Sequence, residues 1–130
     1  MAEYPDNLKY TKEHEWARAE GKSVVIGVTF HAQESLGDVV YVELPKVGSP
    51  VTAGTPFGAI ESTKAVSELF APISGQVVKV NEELVGAPQT VNQDPYQAGW
   101  LIEVEPSDLR QLDQLLDSSA YQRLIQESSD

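Results

Sequence analysis

Cysteine is absent from the 130 residues, and the histidines are His14 and His31. Without a thiol the chain can form no disulfide, no thiolate metal site and no cysteine nucleophile. The sequence also has neither the G-x-S-x-G pattern of serine hydrolases nor a phosphate-binding G-x-x-x-x-G-K-[ST] loop. His31 and Glu34 share one face of a predicted helix, but such an isolated pair is more often a surface feature than a metal site. Catalysis by this chain alone is therefore not expected, and sulfur redox chemistry would have to come from a cofactor.

Cations are scarce as well, because nine Lys and Arg stand against twenty Asp and Glu, a net charge of −11. An acidic surface repels nucleic acid and anionic membranes, and it suits partners with basic patches. Acidity that serves only solubility is an equally acceptable interpretation. No apolar run approaches the roughly 18 residues of a membrane span, and residues 1–10 have the features of neither a signal nor a transit peptide. We expect a cytoplasmic protein that binds no nucleic acid and no membrane, although a processed organellar protein would look the same.

Most of the sequence pattern is β, in one domain covering residues 1–130. A chain of this length with 41% hydrophobic residues can bury roughly two thirds of its unfolded surface around one core. Thr29 is placed to cap a short helix over residues 30–36, which Gly37 would end. The stretch 81–99 is predicted to be irregular. Apolar or alternating segments bounded by turn residues predict strands at 8–19, 23–28, 39–44, 57–61, 65–70, 76–80 and 100–105.

The C-terminal quarter changes from strand to helix patterning. Ser107 is placed as a cap, and Ser119 with Gln122 has the spacing of a capping box. We predict two short amphipathic helices within residues 107–127, with apolar faces packed on a β core of about residues 8–105. The first of these faces consists of Leu109, Leu112, Leu115 and Leu116.

The organising stretch of the chain is FGAIESTKAVSELF, residues 57–70. Its two arms show the two-residue period of paired strands. The polar connection between them contains no Gly or Asn, so a tight primed turn is not expected and a longer type I connection fits better. Lys64 would then project into water from the tip of a hairpin. On position alone, an ordinary surface lysine is the more common explanation.

Two halves of the sequence are weakly similar to each other. LGDVVYV at residues 36–42 is followed at a distance by FGAIE, and SGQVVKV at residues 74–80 is followed at a distance by WLIEVE. Quasi-symmetric halves of this kind can interlock into a flattened barrel with their connecting hairpin at one end. Such a barrel would give Lys64 a rigid support.

Several separated motifs resemble the H proteins of the glycine cleavage system and occur in the same order. They are LKYTKEHEW, IGVTFHAQESLGDVVYVELPKVG, FGAIESTKAVSELFAPISGQV and VNQDPYQAGWL, within roughly residues 8–105. The resemblance implies a barrel-sandwich hybrid fold, the flattened barrel of lipoyl and biotinyl domains. It also implies that lipoic acid is attached to Lys64 as N6-lipoyl-lysine. The residues that flank this site are Glu61, Ser62, Thr63 and Ala65.

The resemblance further implies a non-catalytic carrier that serves three enzymes. Glycine decarboxylase, the P protein, would load an aminomethyl group onto the lipoyl arm. Aminomethyltransferase, the T protein, would remove the one-carbon unit and ammonia, and dihydrolipoamide dehydrogenase, the L protein, would reoxidise the dithiol. Lipoate-attaching enzymes would install the arm. A monomer is expected, because several partners must approach one hairpin through small contacts.

A loaded arm needs protection from water. An aminomethyl thioether can lose ammonia and release its carbon as formaldehyde, so a carrier gains from folding the arm into a cleft. The loaded arm ends in an ammonium group, which carboxylates would bind. The candidates, chosen by their family-like placement, are Glu15 beside Trp16 and Glu68 in the right arm of the hairpin. Both can equally be ordinary solvated acids.

Alternative functions belong to other classes. In a biotinyl carrier the lysine is typically flanked by methionines, whereas Lys64 lies between Thr63 and Ala65 and the single methionine is Met1. A lipoyl domain of a 2-oxoacid dehydrogenase would normally belong to a longer chain with linker and catalytic domains. An unmodified acidic adaptor that keeps the fold is distinguished by its intact mass, and an enzyme by activity of the unmodified chain.

Overall fold

The computed structural model describes residues 4–128, which form mainly β-structure with a few short helices. The strands are β1 (Lys9–Tyr10), β2 (Glu15–Glu20), β3 (Ser23–Val28), β4 (Val39–Glu43), β5 (Pro50–Val51), β6 (Pro56–Ser62), β7 (Val66–Phe70), β8 (Gly75–Val80) and β9 (Ile102–Pro106). The helices are α1 (Phe30–Leu36), α2 (Glu83–Gly86), α3 (Thr90–Gln93), a 3₁₀ helix (Leu109–Gln114) and α4 (Ser118–Ser128).

The strands form two sheets. One has the order β1-β2-β3-β9-β8-β5 and the other the order β4-β6-β7, and neighbouring strands are antiparallel. Within residues 4–128 neither sheet closes into a barrel. Two open sheets that share a core agree with the predicted barrel-sandwich fold.

One hydrophobic cluster joins the two sheets. Ile60 and Leu69 come from the three-stranded sheet, and Ile26, Val77 and Val104 come from the six-stranded sheet. Ile26, Ile60 and Val104 are fully buried. Burial of each such side chain stabilises the fold by about 1.5–3 kcal/mol, so β6 and β7, the arms of the hairpin, rest on a packed interior.

The predicted internal repeat appears in the strand pairing. The β4–β6 pair and the β8–β9 pair each skip one residue, Val40 in the first and Val78 in the second. These two valines occupy the same place in the similar segments 36–42 and 74–80. The partners on either side of the skipped residues are Val39↔Ser62 and Tyr41↔Glu61 in one half, and Val77↔Val104 and Lys79↔Glu103 in the other.

Helix α1 has the predicted limits. The Thr29 hydroxyl accepts a hydrogen bond from the Ala32 amide, as an N-cap should. Gly37 ends the helix with φ 76° and ψ −154°, a conformation that side-chain-bearing residues rarely adopt. Its amide donates to the carbonyl of Gln33. Local sequence was sufficient here because both caps act within one helical turn.

The prediction for residues 81–99 was partly wrong, since α2 and α3 lie in this stretch. Each is a single turn of four residues. A helix of that length presents no recurring apolar face, so the sequence pattern could not reveal it.

The predicted caps of the C-terminal helices were also wrong. Asp108, not Ser107, caps the first segment, which is a 3₁₀ helix. Ser107 instead continues the sheet edge, because both its amide and its hydroxyl donate to the carbonyl of Ser74. At α4 the carboxylate of Asp117 accepts from the Ala120 amide, so the cap lies two residues before Ser119. Gln122 donates to the hydroxyl of Ser118.

The predicted packing of these C-terminal helices is confirmed. Leu112 and Leu115 pack against the core between the sheets. Leu116, Leu124 and Ile125 pack against a second buried cluster that contains Tyr10, Trp16 and Tyr121. The apolar faces of both helices are therefore covered by the chain itself, except at Leu109, which is 49% exposed.

Candidate functional site

Lys64 lies where the sequence predicts it, in the turn between β6 and β7. The two strands pair up to Glu61↔Val66, and residues 62–65 form the connection. Lys64 is exposed. The salt bridges found within residues 4–128 join Arg18 to Glu20 and Arg110 to Asp108, so Lys64 takes part in none of them.

Ser62 allows this turn to form without glycine. Its amide donates to the carbonyl of Ala65 at 2.8 Å. Its hydroxyl oxygen accepts from the amides of Lys64, at 3.2 Å, and Ala65, at 3.1 Å. A serine side chain that accepts from amides a few residues ahead closes a turn in place of a backbone group. The connection, residues 62–65, is therefore held by one of its own side chains.

The hairpin tip is also attached to the rest of the molecule. The Thr63 amide donates to the carbonyl of Asp38 at 3.1 Å, which fixes the tip to the segment after α1. The Lys64 side chain runs beside Gly37, since a methyl group added there would lie 3.3 Å from Lys64 Cε. A glycine at this position thus both ends α1 and leaves room for the lysine.

Asn92 of α3 clamps the segment that supports the tip. Its Oδ1 accepts from the Val39 amide at 2.8 Å, and its Nδ2 donates to the Gly37 carbonyl at 2.7 Å and to Gln33 Oε1 at 3.2 Å. These contacts span more than fifty residues of sequence. Asn92 lies in the motif VNQDPYQAGWL, but the sequence assigned it no role.

We expect Asn92→Leu to lower the free energy of unfolding by about 2–4 kcal/mol, because it leaves a buried amide and a carbonyl without partners. Urea titration followed by fluorescence measures the change. Gln89→Leu is the matched control, since Gln89 is exposed at the start of the same helix and makes no capping bond. Equal stability of the two variants would show that the clamp contributes nothing.

The face of the three-stranded sheet that points away from the core is acidic, with apolar residues at the lysine end. Directly opposed residues of antiparallel strands point to the same side, so paired positions define this face. The row beside the turn is Tyr41, Glu61 and Val66, and the next row is Glu43, Ala59 and Glu68. We call these six residues the outer face.

A cavity of about 270 Å³ lies at the other end of β7. Glu15 and Phe70 contribute to its wall, together with the loop before β2 and the segment between the 3₁₀ helix and α4. Phe70 is on the same side of β7 as Val66 and Glu68, by the two-residue period of a strand. The complete lining is Tyr10, Thr11, Lys12, Glu13, Glu15, Gly54, Phe70, Ala71, Pro72, Gln114, Leu115 and Leu116.

Glu15 is a buried carboxylate at this cavity, 1% exposed. Its Oε1 accepts from the Thr11 hydroxyl at 2.6 Å, and its Oε2 accepts from the Phe70 amide at 3.1 Å. Burial raises the pKa of Glu15 to about 7, and the hydrogen bonds from Thr11 and Phe70 oppose part of that rise. A carboxylate so placed can attract a cation into a pocket whose lining is mostly apolar.

Thr11 holds this carboxylate in place. Its hydroxyl oxygen also accepts from the Glu15 amide at 3.1 Å. We expect Thr11→Val, which keeps the shape but removes the donor, to raise the pKa of Glu15 further by about one to two pH units, because a hydrogen bond to a charged group contributes about 1.5–3 kcal/mol.

NMR titration of the Glu15 carboxyl carbon measures this pKa. Thr11→Ser keeps the hydroxyl and should retain the wild-type midpoint. Thr52→Val changes an exposed threonine and is the control for the substitution itself. An unchanged midpoint in Thr11→Val would contradict a positioning role for Thr11.

Glu68, the second predicted carboxylate, does not share the cavity with Glu15. It is exposed on the outer face. It lies two residues before Phe70, on the same side of β7 and nearer to Lys64. The structure thus places Glu15 in the pocket and Glu68 between that pocket and the lysine. The remaining predicted neighbours of Lys64, Glu61, Thr63 and Ala65, are exposed around the turn.

Comparison with known proteins identifies one family along nearly the whole chain. The family described as Glycine cleavage H-protein matches residues 8–128. The chain belongs to the glycine cleavage H-protein family. The H protein of Myxococcus xanthus is 68% identical over 124 residues, which cover 95% of this chain and 96% of that protein. The H protein of Anaeromyxobacter sp. is 58% identical over 125 residues, with 96% and 98% covered.

A solved structure agrees as well. The crystal structure of a glycine cleavage system H protein from Mycobacterium marinum has a TM-score of 0.84 to this chain at 42% identity, and it covers 97% of this chain and 99% of its own. The predicted family, fold and function are confirmed: the chain is a lipoyl carrier of the glycine cleavage system.

This member of the H-protein family has a polar cluster that the sequence did not reveal. His14 adopts a positive φ of 74°, and its Nδ1 lies 2.7 Å from the Tyr121 hydroxyl of α4, which lies 2.7 Å from the Thr29 hydroxyl. The rings of His14 and His31 are 4.6 Å apart. Burial and His31 lower the pKa of His14. The cluster fixes α4 beside the loop that precedes Glu15.

A second contact fixes the cavity wall. Tyr10 and Leu116 exchange two backbone hydrogen bonds, of 2.8 and 2.9 Å. The wall that Gln114, Leu115 and Leu116 provide is thereby tied to β1. A sequence pattern could not place these residues beside Glu15, since about a hundred positions separate them.

The described part of the chain contains neither a metal-binding cluster nor a helix that could span a membrane. Between residues 4 and 128 no group of three or more His, Asp or Glu side chains is placed to hold a metal ion. No helix in that range is long and apolar enough to cross a membrane.

Proposed function

We propose that Lys64 carries the lipoyl group of this H protein, joined by an amide to its Nζ. The observation that supports the site is the fixed presentation of an exposed amine: Ser62 closes the turn, and Thr63 is bonded to Asp38. The amide removes the positive charge of Lys64, so residues 62–65 then carry no charge, while the surface around them is acidic. A lipoyl group there would supply a disulfide: one sulfur would bond the aminomethyl carbon as the S–S bond breaks, the other would become a thiol, and the dithiol left after transfer would be reoxidised.

We further propose that the chain acts as a non-catalytic carrier. The P protein would load the aminomethyl group, the T protein would take it, and the L protein would reoxidise the arm. A lipoate-attaching enzyme would act first. The anchored hairpin supports this role, because it presents one reactive group to several enzymes while the rest of the fold stays constant.

The cavity at Glu15 is proposed as the resting place of the loaded arm. Its lining is mostly apolar, which suits a hydrocarbon chain, and Glu15 offers a carboxylate, ionised above its pKa of about 7, for the terminal ammonium. Glu68 would attract the same ammonium on the way, since it lies between Lys64 and Phe70 along β7. The chain's residues thus exclude water and bind charge, while the chemistry of transfer belongs to the partner enzymes.

We also propose a single carrier domain over residues 1–130 that acts as a cytoplasmic monomer and binds neither nucleic acid nor membrane. The net charge of −11 supports the last point, since it opposes binding to polyanions. The bacterial sources of the similar proteins support the cytoplasmic location.

Intact mass and peptide mapping test the attachment site. The purified chain is incubated with a lipoate–protein ligase, lipoate and ATP. One lipoyl increment is expected, on the peptide that contains Lys64. Modification of another lysine, such as Lys46 or Lys79, would overturn the assignment. Absence of any increment would favour an unmodified adaptor instead.

A further inference from the structure

A β-bulge exposes two adjacent apolar side chains next to the lysine turn. Pairing passes from Val39↔Ser62 to Tyr41↔Glu61, so Val40 is the extra residue of the bulge. Strict alternation from buried Val39 would turn residue 41 toward the core. Instead Val40 is 53% exposed and Tyr41 is 45% exposed.

The second half of the chain contains the same bulge with a different side chain. There the extra residue is Val78 and the next residue is Lys79. The bulge therefore belongs to the repeated architecture, whereas the aromatic ring at position 41 does not. At the position after the bulge, the second half exposes Lys79, whereas the half that contains Lys64 exposes Tyr41. Architecture alone does not account for that difference.

The surroundings of Tyr41 have the composition of a docking surface. Tyr41 shares its row with Val66, which is 65% exposed and two residues from Lys64. Exposed apolar side chains grouped beside a reactive group mark an interaction site, and tyrosine often anchors such contacts. Three carboxylates surround this apolar centre on the outer face: Glu43, Glu61 and Glu68.

We propose that this surface docks the enzyme that transfers the lipoyl group to Lys64, an inference that rests on the proposed function. The surface consists of Val40, Tyr41 and Val66 with the carboxylates of Glu43, Glu61 and Glu68. Its partner would offer an apolar pocket for Tyr41 inside a rim of Lys and Arg, which complements the carboxylates.

The attaching enzyme is the best-matched occupant because it must reach Lys64 itself. The deprotonated Nζ forms the new C–N bond with the acyl carbon of lipoyl adenylate. The bond from that carbon to the phosphate oxygen breaks, AMP leaves with the electron pair, and the proton lost from the amine passes to solvent. Enzymes that act later meet a sulfur at the far end of the arm, so they can react without covering residues beside the turn.

Lipoylation kinetics test the apolar part of the surface. Purified lipoate–protein ligase, lipoate and ATP are the probe, and intact mass gives the initial rate at subsaturating concentrations of the chain. Tyr41→Ser is expected to reduce kcat/KM at least tenfold, as loss of an aromatic anchor does. Val78→Ser changes the equivalent bulge and should stay within twofold of wild type. A wild-type rate for Tyr41→Ser overturns the proposal.

Salt dependence tests the acidic part. Glu43→Gln is expected to reduce kcat/KM several-fold at low salt and much less at 1 M, where the Debye length is about 3 Å. Glu105→Gln, an exposed carboxylate of the other sheet, should match wild type at both salt concentrations. A reduction in Glu43→Gln that is independent of salt contradicts attraction to a basic rim.

Two further results separate this inference from its alternatives. If the wild-type chain acquires no lipoyl group, the proposed function and the inference fail together, whereas equal lipoylation of wild type and Tyr41→Ser overturns the inference alone. Sedimentation equilibrium tests whether a second copy of the chain occupies this surface. A wild-type dimer that becomes a monomer in Tyr41→Ser would show that it does, and that result also overturns the proposal. Equal unfolding midpoints of the variants exclude a folding defect.

Discussion

Lys64→Arg is expected to acquire no lipoyl group and to reduce glycine cleavage in a reconstituted system to background. Arginine keeps the positive charge and the length of the side chain, but its guanidinium remains protonated at any working pH and offers no amine for acylation. The fold should be unaffected, because Lys64 is exposed and forms no salt bridge within residues 4–128. A loss of lipoylation in this variant would therefore result from the missing amine at position 64 and not from a change in the fold.

Intact mass after incubation with the ligase measures this loss, and ammonia production with the P, T and L proteins measures its consequence. Lys79→Arg is the matched control, since Lys79 is an exposed lysine on β8. It should be lipoylated and active like wild type. A lipoyl increment on Lys64→Arg would refute the attachment site, and normal glycine cleavage without an increment would refute the carrier mechanism.

The features that sequence could predict are those fixed by neighbours along the chain. Thr29 and Gly37 limit α1 through contacts within one turn, and the alternation of residues 65–70 is that of a strand. The lysine turn followed from the same local reasoning. The predicted cap at Ser119 was wrong because Asp117, Ser118 and Ser119 are all suitable capping residues. The Asp117 carboxylate, two residues before Ser119, accepts the hydrogen bond.

The supports of the site could not be predicted, because they depend on contacts between distant segments. Asn92 reaches Val39 across more than fifty residues, and Gln114 to Leu116 close a cavity whose carboxylate is at position 15. The two predicted carboxylates look alike in the sequence. Their difference, one buried in a pocket and the other exposed on the outer face, arises only when β2 meets the end of β7.

Burial of Glu15 should make the protein less stable as the pH rises. Its pKa lies at about 7 in the folded state against an ordinary value of 4.5, so the folded state holds the proton more tightly than the unfolded chain. The stability that neutral Glu15 contributes is complete below pH 4.5 and is lost as the pH rises through about 7. Each unit of difference between the folded and unfolded pKa values corresponds to about 1.4 kcal/mol of stability.

Glu15→Gln removes this titration while keeping the shape of the side chain. We expect the stability of the variant relative to wild type to increase by about 2–3 kcal/mol between pH 5 and pH 8. Urea unfolding at both pH values measures the change, with Glu105→Gln as the exposed control. A relative stability that is independent of pH would show that Glu15 is not held at a raised pKa.

The same substitution should impair protection of the loaded arm. At pH 8 wild-type Glu15 is ionised and can bind the terminal ammonium, whereas glutamine carries no charge. A hydrogen bond between charged groups contributes about 1.5–3 kcal/mol, so spontaneous ammonia release from loaded Glu15→Gln is expected to be roughly ten- to a hundredfold faster. Unfolded loaded protein supplies the rate of a fully exposed arm. Release at the wild-type rate in the variant would exclude Glu15 as the group that holds the ammonium.

The pH dependence of that release links the two measurements. As the pH falls below 7, Glu15 takes up a proton and loses its attraction for the ammonium, so the wild-type rate should approach the rate of Glu15→Gln. The bound ammonium favours the ionised carboxylate, which shifts the crossover below the pKa of the unloaded protein. Glu68→Gln, whose carboxylate lies outside the cavity, should produce a smaller increase at every pH. If Glu15 both lowers stability above neutral pH and slows ammonia release over the same range, its burial serves the binding of the arm and not the stability of the fold.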